Sequence, residues 1–283
     1  MTPEQAYLDA CQQELTALKP GNVGHHAPGH GMDAALFETS ARVSAPVLAD
    51  ARLGVGERIL AAVRATRAAV DCNTNLGILL LAAPLLRAAE TGAGPLRERL
   101  RAVLAGLDQD DTAAVFEAIR LAAPGGLGRS PEHDVAGPAR AGLVTVMAAA
   151  AGRDRIARQY ASGYDDVFDT GLPALAWAGT RWADKSWASV YSYLVFLARF
   201  SDTHVLRKLG PSTAEEVSRV AAELRNRLAR SARPELFASR LLALDREWKA
   251  RGINPGTSAD LTVATLLAER LQSSLREEKN QHG

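Results

Sequence analysis

The chain has 283 residues, enough for one large domain or two small ones with a substantial core. Its composition, 47% hydrophobic and 23% charged, is that of a globular protein and excludes extended disorder. The 33 basic and 32 acidic side chains leave a formal charge of +1, so no basic surface marks it for nucleic acid. Cys11 and Cys72 form no CxxC pair, which speaks against a disulfide framework or a zinc site and fits a reducing compartment. Cys72 is read as a buried structural thiol rather than a reactive one. The amino terminus lacks a signal-peptide pattern, and the longest apolar stretch, residues 76–86, is about half of what a spanning helix requires. A cytoplasmic location without membrane partners is expected.

The periodicity is helical almost throughout. Thr2-Pro3-Glu4-Gln5 offers a cap, a proline at the first helical position and a glutamine three residues after the cap. Tyr7, Cys11, Leu15 and Leu18 then share a stripe, and Lys19-Pro20-Gly21 stops the helix. Residues 22–31 form a loop with three glycines, a proline and three histidines. Helices are predicted over 32–45, 56–69 and 76–89, the last apolar on most sides and suited to the centre of a bundle. Two amphipathic segments follow at 96–107 and 112–122, then a long irregular stretch to about residue 138. Further helices are predicted over 139–151, 154–162, 171–179 and 185–200, the last carrying Tyr191, Tyr193 and Phe196. Ser212-Thr213-Ala214-Glu215 reads as a capping box opening a helix with stripe Val217, Val220, Leu224 and Leu228. Helices over 235–250 and 258–275 close the pattern. No alternating strand run, repeat or linker appears, so one all-α, single-domain helix bundle over residues 1–275 is expected, with a polar tail at 276–283.

Four polar clusters interrupt these helices, all at loop-to-helix junctions, where unpaired N–H groups and the positive dipole end suit phosphate oxygens. The first holds Lys19, Gly21 and Asn22, with His25, His26 and His30, and continues into Asp33, Phe37 and Ser40 on one helix face. Lys19 is a phosphate candidate and Asp33 a candidate metal ligand or base; a capped turn with solvated histidines is the plain alternative. The second is Asp71-Cys72-Asn73-Thr74-Asn75-Leu76-Gly77, where Gly77, one turn from Asn73, leaves space beside it. Two asparagines at the mouth of an apolar helix are costly if buried without partners and lean toward ligand contact.

The third cluster joins Gly125, Gly126 and Gly128 to Glu132, His133 and Asp134, and later Asp165, Asp166 and Asp169. A glycine-rich loop lets backbone N–H groups approach phosphates. Carboxylates three or four residues apart suit Mg²⁺, although a solvated acidic face explains them nearly as well. The fourth pairs Ser201-Asp202-Thr203-His204 with Pro255-Gly256-Thr257-Ser258-Ala259-Asp260-Leu261. Asp202 and His204 are candidates to orient or deprotonate a hydroxyl. Ser258 or Thr257 reads as a helix cap with Asp260 in the first turn, where capping alone can account for it.

In this order, Lys19-Pro20-Gly21-Asn22-Val23, Met32-Asp33 to Ser40, Asn73-Thr74 with Gly77, Gly126-Leu127-Gly128, Ser201-Asp202-Thr203 and Pro255-Gly256 to Leu261 resemble the triphosphoribosyl-dephospho-CoA synthase family. The resemblance spans nearly the whole chain. It implies an all-α transferase that moves the triphosphoribosyl group of ATP to dephospho-CoA with release of adenine, aided by Mg²⁺. It places phosphate or nucleotide contacts at Lys19, Gly21, Asn22, Ser40, Asn73, Thr74, Asn75, Gly126, Gly128 and Ser258. Asp33, Asp202 and His204 become catalytic candidates, and Asp33, Asp166, Asp169 and Asp202 metal candidates.

The chain departs from the decarboxylase-linked members in carrying Asn75-Leu76 where they have a His-Lys pair. It has His204 and Lys208-Leu209-Gly210 where they continue with asparagine and a glycine pair. This pattern resembles the branch found in methylotrophs and methanogens. An alternative acceptor in one-carbon cofactor synthesis, of the tetrahydromethanopterin or methylofuran type, therefore stands beside the family reaction. A non-catalytic nucleotide-binding helical protein is the third reading. Whether the protein forms a homo-oligomer is left open; Trp177, Trp182 and Trp187 are expected in the core.

Overall fold

Helical propensity and caps place most of the described residues in helices. A computed structural model describes residues 1–125, 128 and 132–282, with side chains through residue 277. Among the described residues there are fourteen α-helices and no strand; isolated bridges pair Gly24 with Ala27 and Gly29 with Met32. The all-α expectation holds.

The helix α1 (Pro3–Thr16) begins at Thr2, whose hydroxyl accepts the Gln5 N–H at 3.2 Å, and buries Tyr7, Cys11 and Leu15. Then α2 (Ala34–Leu48) and α3 (Val55–Val70) pack on each other. Their connection is pinned by Arg58, a fully buried guanidinium bonded to both Glu90 oxygens (3.0 and 2.6 Å) and to the carbonyls of Leu48 and Leu53. With its charge and donors satisfied together, burial of that arginine is tolerable.

At the centre is α4 (Leu76–Glu90), where leucines and alanines pack on nearly every side. Each such leucine contributes roughly 1.5–3 kcal/mol. Against it lie α3, α5 (Leu96–Ala105) and the last helix, α14 (Gly256–His282), which also packs on α1 and α10 (Lys185–Arg199). One flank is built from α6 (Gln109–Ala122), α7 (Leu143–Ala150) and α8 (Arg155–Ser162). The other holds α9 (Leu172–Arg181), α11 (Thr203–Leu209), α12 (Pro211–Ala229) and α13 (Ala238–Ala250).

Several boundaries differ from the sequence reading. A π-helical turn, Val167–Gly171, precedes α9, and a 3-10 turn, Pro234–Phe237, precedes α13. The Ser212 capping box does not form. Instead α12 starts at Pro211 after Gly210, and the Thr213 hydroxyl donates back to the Leu209 carbonyl. The buried stripe runs through Val217, Ala221, Leu224 and Leu228, with Val220 only partly covered. The expected polar tail continues α14 to His282, because an established helix adds each further residue at little cost. No helix of the described residues is long and apolar enough to cross a membrane.

Candidate active site

The interrupted junctions converge. A cavity of about 560 Å³ is lined by Glu14 of α1, Asn22 and His30 of the following loop, Asn73 and Thr74 before α4, and Gly77 within it. His204 of α11, Asn254 and the first turns of α14 (Gly256, Thr257, Asp260) complete this polar end. Arg153, Arg207 and Lys208 line it as well, together with Gly125, Gly128, Glu132, His133, Asp134 and Asp154. An apolar wall comes from α4, α6, α7 and α8. The volume and the mixture of apolar wall with converging polar groups suit a small-molecule site.

The most exceptional side chain in it is Asp260. A Cβ built on Gly77 would lie 2.1 Å from its Oδ2 and 2.6 Å from its Cγ, so only glycine leaves room for this carboxyl. Among the described residues it accepts no hydrogen bond, although it faces the cavity. Burial pushes its carboxyl well above the usual carboxylate range; Asp202, Glu14 and Asp154 add to the rise and Lys19 opposes it. The space at Gly77 thus belongs to Asp260 rather than to Asn73. Asn73 Oδ1 instead accepts the Leu76 N–H at 3.2 Å at the start of α4.

Lys19 sits differently from a phosphate ligand. Its ammonium is buried and forms an ion pair with Glu14, while also donating to Asn22 Oδ1 at 2.6 Å and the Val23 carbonyl at 3.0 Å. Three donors meet three acceptors, so none is left for a ligand. The neighbouring turn is equally fixed. Gly21, at φ +81°, donates to Asp245 Oδ1 (2.9 Å) and its carbonyl accepts from His30 Nε2 (2.8 Å), while the Tyr193 hydroxyl donates to Pro20 O (2.8 Å). Asn22 Nδ2 donates to Asn254 Oδ1 at 2.9 Å, joining the first and last junctions at the cavity wall.

Asp202 is a buried double cap. Its Oδ1 accepts the N–H groups of His204 (3.0 Å) and Val205 (3.1 Å), and its Oδ2 accepts the N–H (2.7 Å) and hydroxyl (2.8 Å) of Ser258. One carboxylate thereby closes the amino termini of α11 and α14. Burial raises its pKa against these four donors. Asp202 and Ser258 are absent from the cavity wall, and the four acceptor sites of Asp202 are all filled.

His204, two residues on, does line the cavity, and among the described residues its buried Nε2 has no hydrogen-bond partner. Burial, with Lys208, Arg207 and His30 nearby, pulls the imidazole down to about 4, so the ring is neutral at physiological pH.

The ATP:dephospho-CoA triphosphoribosyl transferase family matches residues 1–279, essentially the whole chain. The protein belongs to that family. A crystal structure of a protein from Archaeoglobus fulgidus, described provisionally as a triphosphoribosyl-dephospho-CoA synthase, aligns with a TM-score of 0.63 at 27% identity. The alignment covers 82% of this chain and 97% of that one. No curated protein sequence matches.

In this triphosphoribosyl transferase, other expected contacts fall outside the cavity. Asp33 is exposed and caps α2, accepting the Leu36 N–H at 3.0 Å. Ser40 is buried behind the wall, where its hydroxyl donates to Leu36 O (2.7 Å) and accepts from the cavity-lining Thr74 hydroxyl (2.6 Å). Asn75 is buried too, its amide nitrogen without a hydrogen-bond partner among the described residues.

Asp166 and Asp169 do not share a metal site. Asp166 pairs with Arg155 (2.6 and 2.8 Å) and Gln159 Nε2 (2.6 Å), while Asp165 and Asp169 both grip Arg97. The carboxylates three and four apart were read as a cation site; arginines from neighbouring elements supply the cations instead. No group of three or more His, Cys, Asp or Glu able to hold a metal occurs among the described residues. The three loop histidines diverge, His25 toward Gln12 and Glu38, His26 toward Thr16 O and His30 toward Gly21 O. Gly128 lines the cavity, whereas Gly126 and Leu127 lie outside the described residues. Both cysteines are free thiols; Cys11 is buried and pushed up to about 12, and Cys72 is half-buried.

Sequence reasoning leaves Asp260 as a first-turn residue of a cap, notes Lys208 only as a departure from the family pattern, and gives Arg153 and Arg207 no role. The first signal was present in Gly77, one turn into an otherwise apolar helix, but its partner lies far along the chain. The cations had no motif to announce them.

Proposed function

We propose that this cavity transfers the triphosphoribosyl group of ATP to a hydroxyl of dephospho-CoA, releasing adenine, with Asp260 managing the proton. The observation that carries this reading is the Asp260 carboxyl, facing the cavity without a hydrogen-bond partner among the described residues, in a space only Gly77 permits. A carboxyl held well above the usual carboxylate range by burial is suited to proton transfer.

The chemistry balances on these residues. The bond between the ribose C1′ and the adenine nitrogen breaks, and adenine leaves with the electron pair. The acceptor oxygen forms the new bond to C1′ and gives its proton to Asp260, from which the proton is passed on to adenine or to water. Neutral His204, whose Nε2 has no partner among the described residues, supplies a hydrogen bond to the nucleobase or the ribose without placing a like charge beside the developing cation at C1′. Arg153, Arg207 and Lys208 supply positive charge for the phosphates, a role the sequence had placed on Lys19. Lys19 with Glu14 and Asn22 acts instead as a buried brace for the loop.

The four aspartates first read as metal ligands do not fit Mg²⁺: Asp202 is saturated, Asp166 and Asp169 hold arginines, and Asp33 lies off the cavity. Mg²⁺ is proposed to enter on the ATP phosphates, as that ion commonly does, rather than into a protein cage.

The test is to incubate the purified protein with ATP, Mg²⁺ and dephospho-CoA and follow free adenine and triphosphoribosylated product by mass spectrometry. Stoichiometric adenine and product are expected. Binding of ATP without either would leave a nucleotide-binding protein, and adenine formed only with another acceptor would redirect the reading to a different substrate.

A further inference from the structure

Lys19, Asn22 and Asn254 form a chain of hydrogen bonds whose polarity is fixed at one end. The Lys19 ammonium can only donate, so the atom of Asn22 that lies 2.6 Å from it is the amide oxygen. Asn22 therefore turns its Nδ2 the other way, where it donates to Asn254 at 2.9 Å. The atom that receives this bond is Oδ1 of Asn254. Flipping the Asn254 amide would set one NH2 group against another, and flipping both amides would set an NH2 against the buried ammonium.

One group is left over. The NH2 of Asn254 has no partner among the described residues, and Asn254 lines the cavity. Its main chain is held as well, because the Gly256 N–H donates to the Asn254 carbonyl at 2.8 Å. The cavity thus receives a hydrogen-bond donor in a set orientation, on a residue that reads in the sequence only as the start of a turn.

The neighbours decide what such a donor can meet. The ammonium that holds Asn22 is also ion-paired with Glu14, and Glu14 lines the cavity together with Asp260. Arg207 is bonded instead to the Gly125 carbonyl (3.3 Å) and Asp154 (3.5 Å), and a Cβ built on Gly125 would lie 3.2 Å from Cε of Lys208. A phosphate at Asn254 would face the Glu14 carboxylate with no cation bonded into the amide chain to offset it, since Lys19 is fully spent. A purine offers a neutral alternative. The ring nitrogens N1, N3 and N7 of adenine are acceptors without hydrogens, which a carboxylate cannot bind and an NH2 group can.

We infer that Asn254 donates through Nδ2 to a ring nitrogen of the departing adenine and is a catalytic residue of the transfer. The inference rests on the triphosphoribosyl transfer proposed above. When the bond from C1′ breaks, its electron pair is shared among the purine nitrogens. A donor already aimed at one of them binds more strongly as that charge develops.

The test uses ATP and its 1-deaza, 3-deaza and 7-deaza analogues, each with a C–H in place of one ring nitrogen. Calorimetry without acceptor compares wild type with Asn254→Ala. ATP should bind the variant about three- to tenfold more weakly, the worth of one neutral hydrogen bond. For the analogue that lacks the accepting nitrogen, the two proteins should bind alike. A merely structural role would weaken all four nucleotides by the same factor, and that result overturns the inference, as does ATP bound equally by both proteins. Asn254→Leu, close to asparagine in shape, takes over should Asn254→Ala fail to fold, with helical circular dichroism checked for both.

In turnover with dephospho-CoA, kcat of the variant should fall by a larger factor than its affinity for ATP; an unchanged kcat overturns the catalytic role. Failure of the transfer reading is distinct. Wild type that binds ATP but releases no adenine with any acceptor sinks that reading, while the analogue series still decides the base contact. Wild type that binds no ATP overturns both.

Discussion

Gly77 and Asp260, one on the central helix and one on the last, approach so closely that a side chain on the first would occupy the place of the carboxyl on the second. The relationship makes a glycine in an apolar helix a functional residue. Gly77→Ala should gain roughly 0.5–1 kcal/mol of helix propensity and lose part of it to the clash. Its main effect should fall on turnover, with kcat down on the order of 10²-fold for a displaced catalytic group. Steady-state kinetics beside a denaturant melt separates the two effects. Wild-type turnover in Gly77→Ala would mean that Asp260 need not stand where it does.

Asp260 also makes a prediction about stability. Its folded pKa is raised, so the folded state binds this proton more tightly than the unfolded chain. This contribution is favourable below the unfolded carboxyl pKa and is lost as pH rises through the folded value. Asp260→Asn removes that cost. The variant should unfold at higher denaturant than wild type at pH 8, and the difference should shrink toward pH 4. Activity should move the other way, falling about 10²–10⁴-fold, the range for a general base. The acid limb of the wild-type pH–rate profile should lie above the ordinary aspartate range. A variant that is less stable at pH 8 would argue that the carboxylate is held by partners.

Asp202 should behave as a structural residue. Removing its side chain leaves two N–H groups of α11 and two donors of Ser258 unpaired in a buried setting. Loss of two caps predicts a destabilisation of about 2–4 kcal/mol for Asp202→Ala. Urea melts read this, and activity per folded molecule should fall far less than in Asp260→Asn.

The cationic rim should be visible in substrate binding. Arg207 and Lys208 lie at the cavity on the last turn of α11. Lys208→Ala should raise the KM for ATP several-fold with a weaker salt dependence, since an exposed charge–phosphate contact is screened by salt. Lys19→Met should act otherwise. It orphans the buried Glu14 and Asn22, costing about 3–5 kcal/mol as a broken buried pair, and lowers the melting temperature. A Lys19 variant of normal stability with a raised KM for ATP would restore that residue as a phosphate ligand.

The helices were legible because apolar spacing and local caps are written in neighbouring residues. Thr2, with its following proline, marked α1, and the leucine-rich stretch from Leu76 marked the central helix. The short α11 escaped because its cap, Asp202, draws half of its bonds from Ser258, 56 residues away. Position along the chain identified the junctions that meet at the cavity, but not which polar groups point into it. Lys19, Asp33 and Asp202 are all of the right chemical type, and each is consumed by a fold contact: a buried ion pair, a helix cap and a double cap. Asp260 looks like a first-turn residue of a capped helix and is instead, among the described residues, the group left without a hydrogen-bond partner. Which polar residues are spent on structure is decided by tertiary neighbours, and only the three-dimensional arrangement shows the remainder.

The central claim is that Asp260, rather than Asp33 or Asp202, handles the proton of the transfer. The direct measurement is adenine release from ATP in the presence of dephospho-CoA, compared between wild type, Asp260→Asn and Asp33→Asn, each confirmed as folded. The account predicts near-complete loss in Asp260→Asn and wild-type release in Asp33→Asn. Full release by Asp260→Asn, with loss in Asp33→Asn, would contradict it.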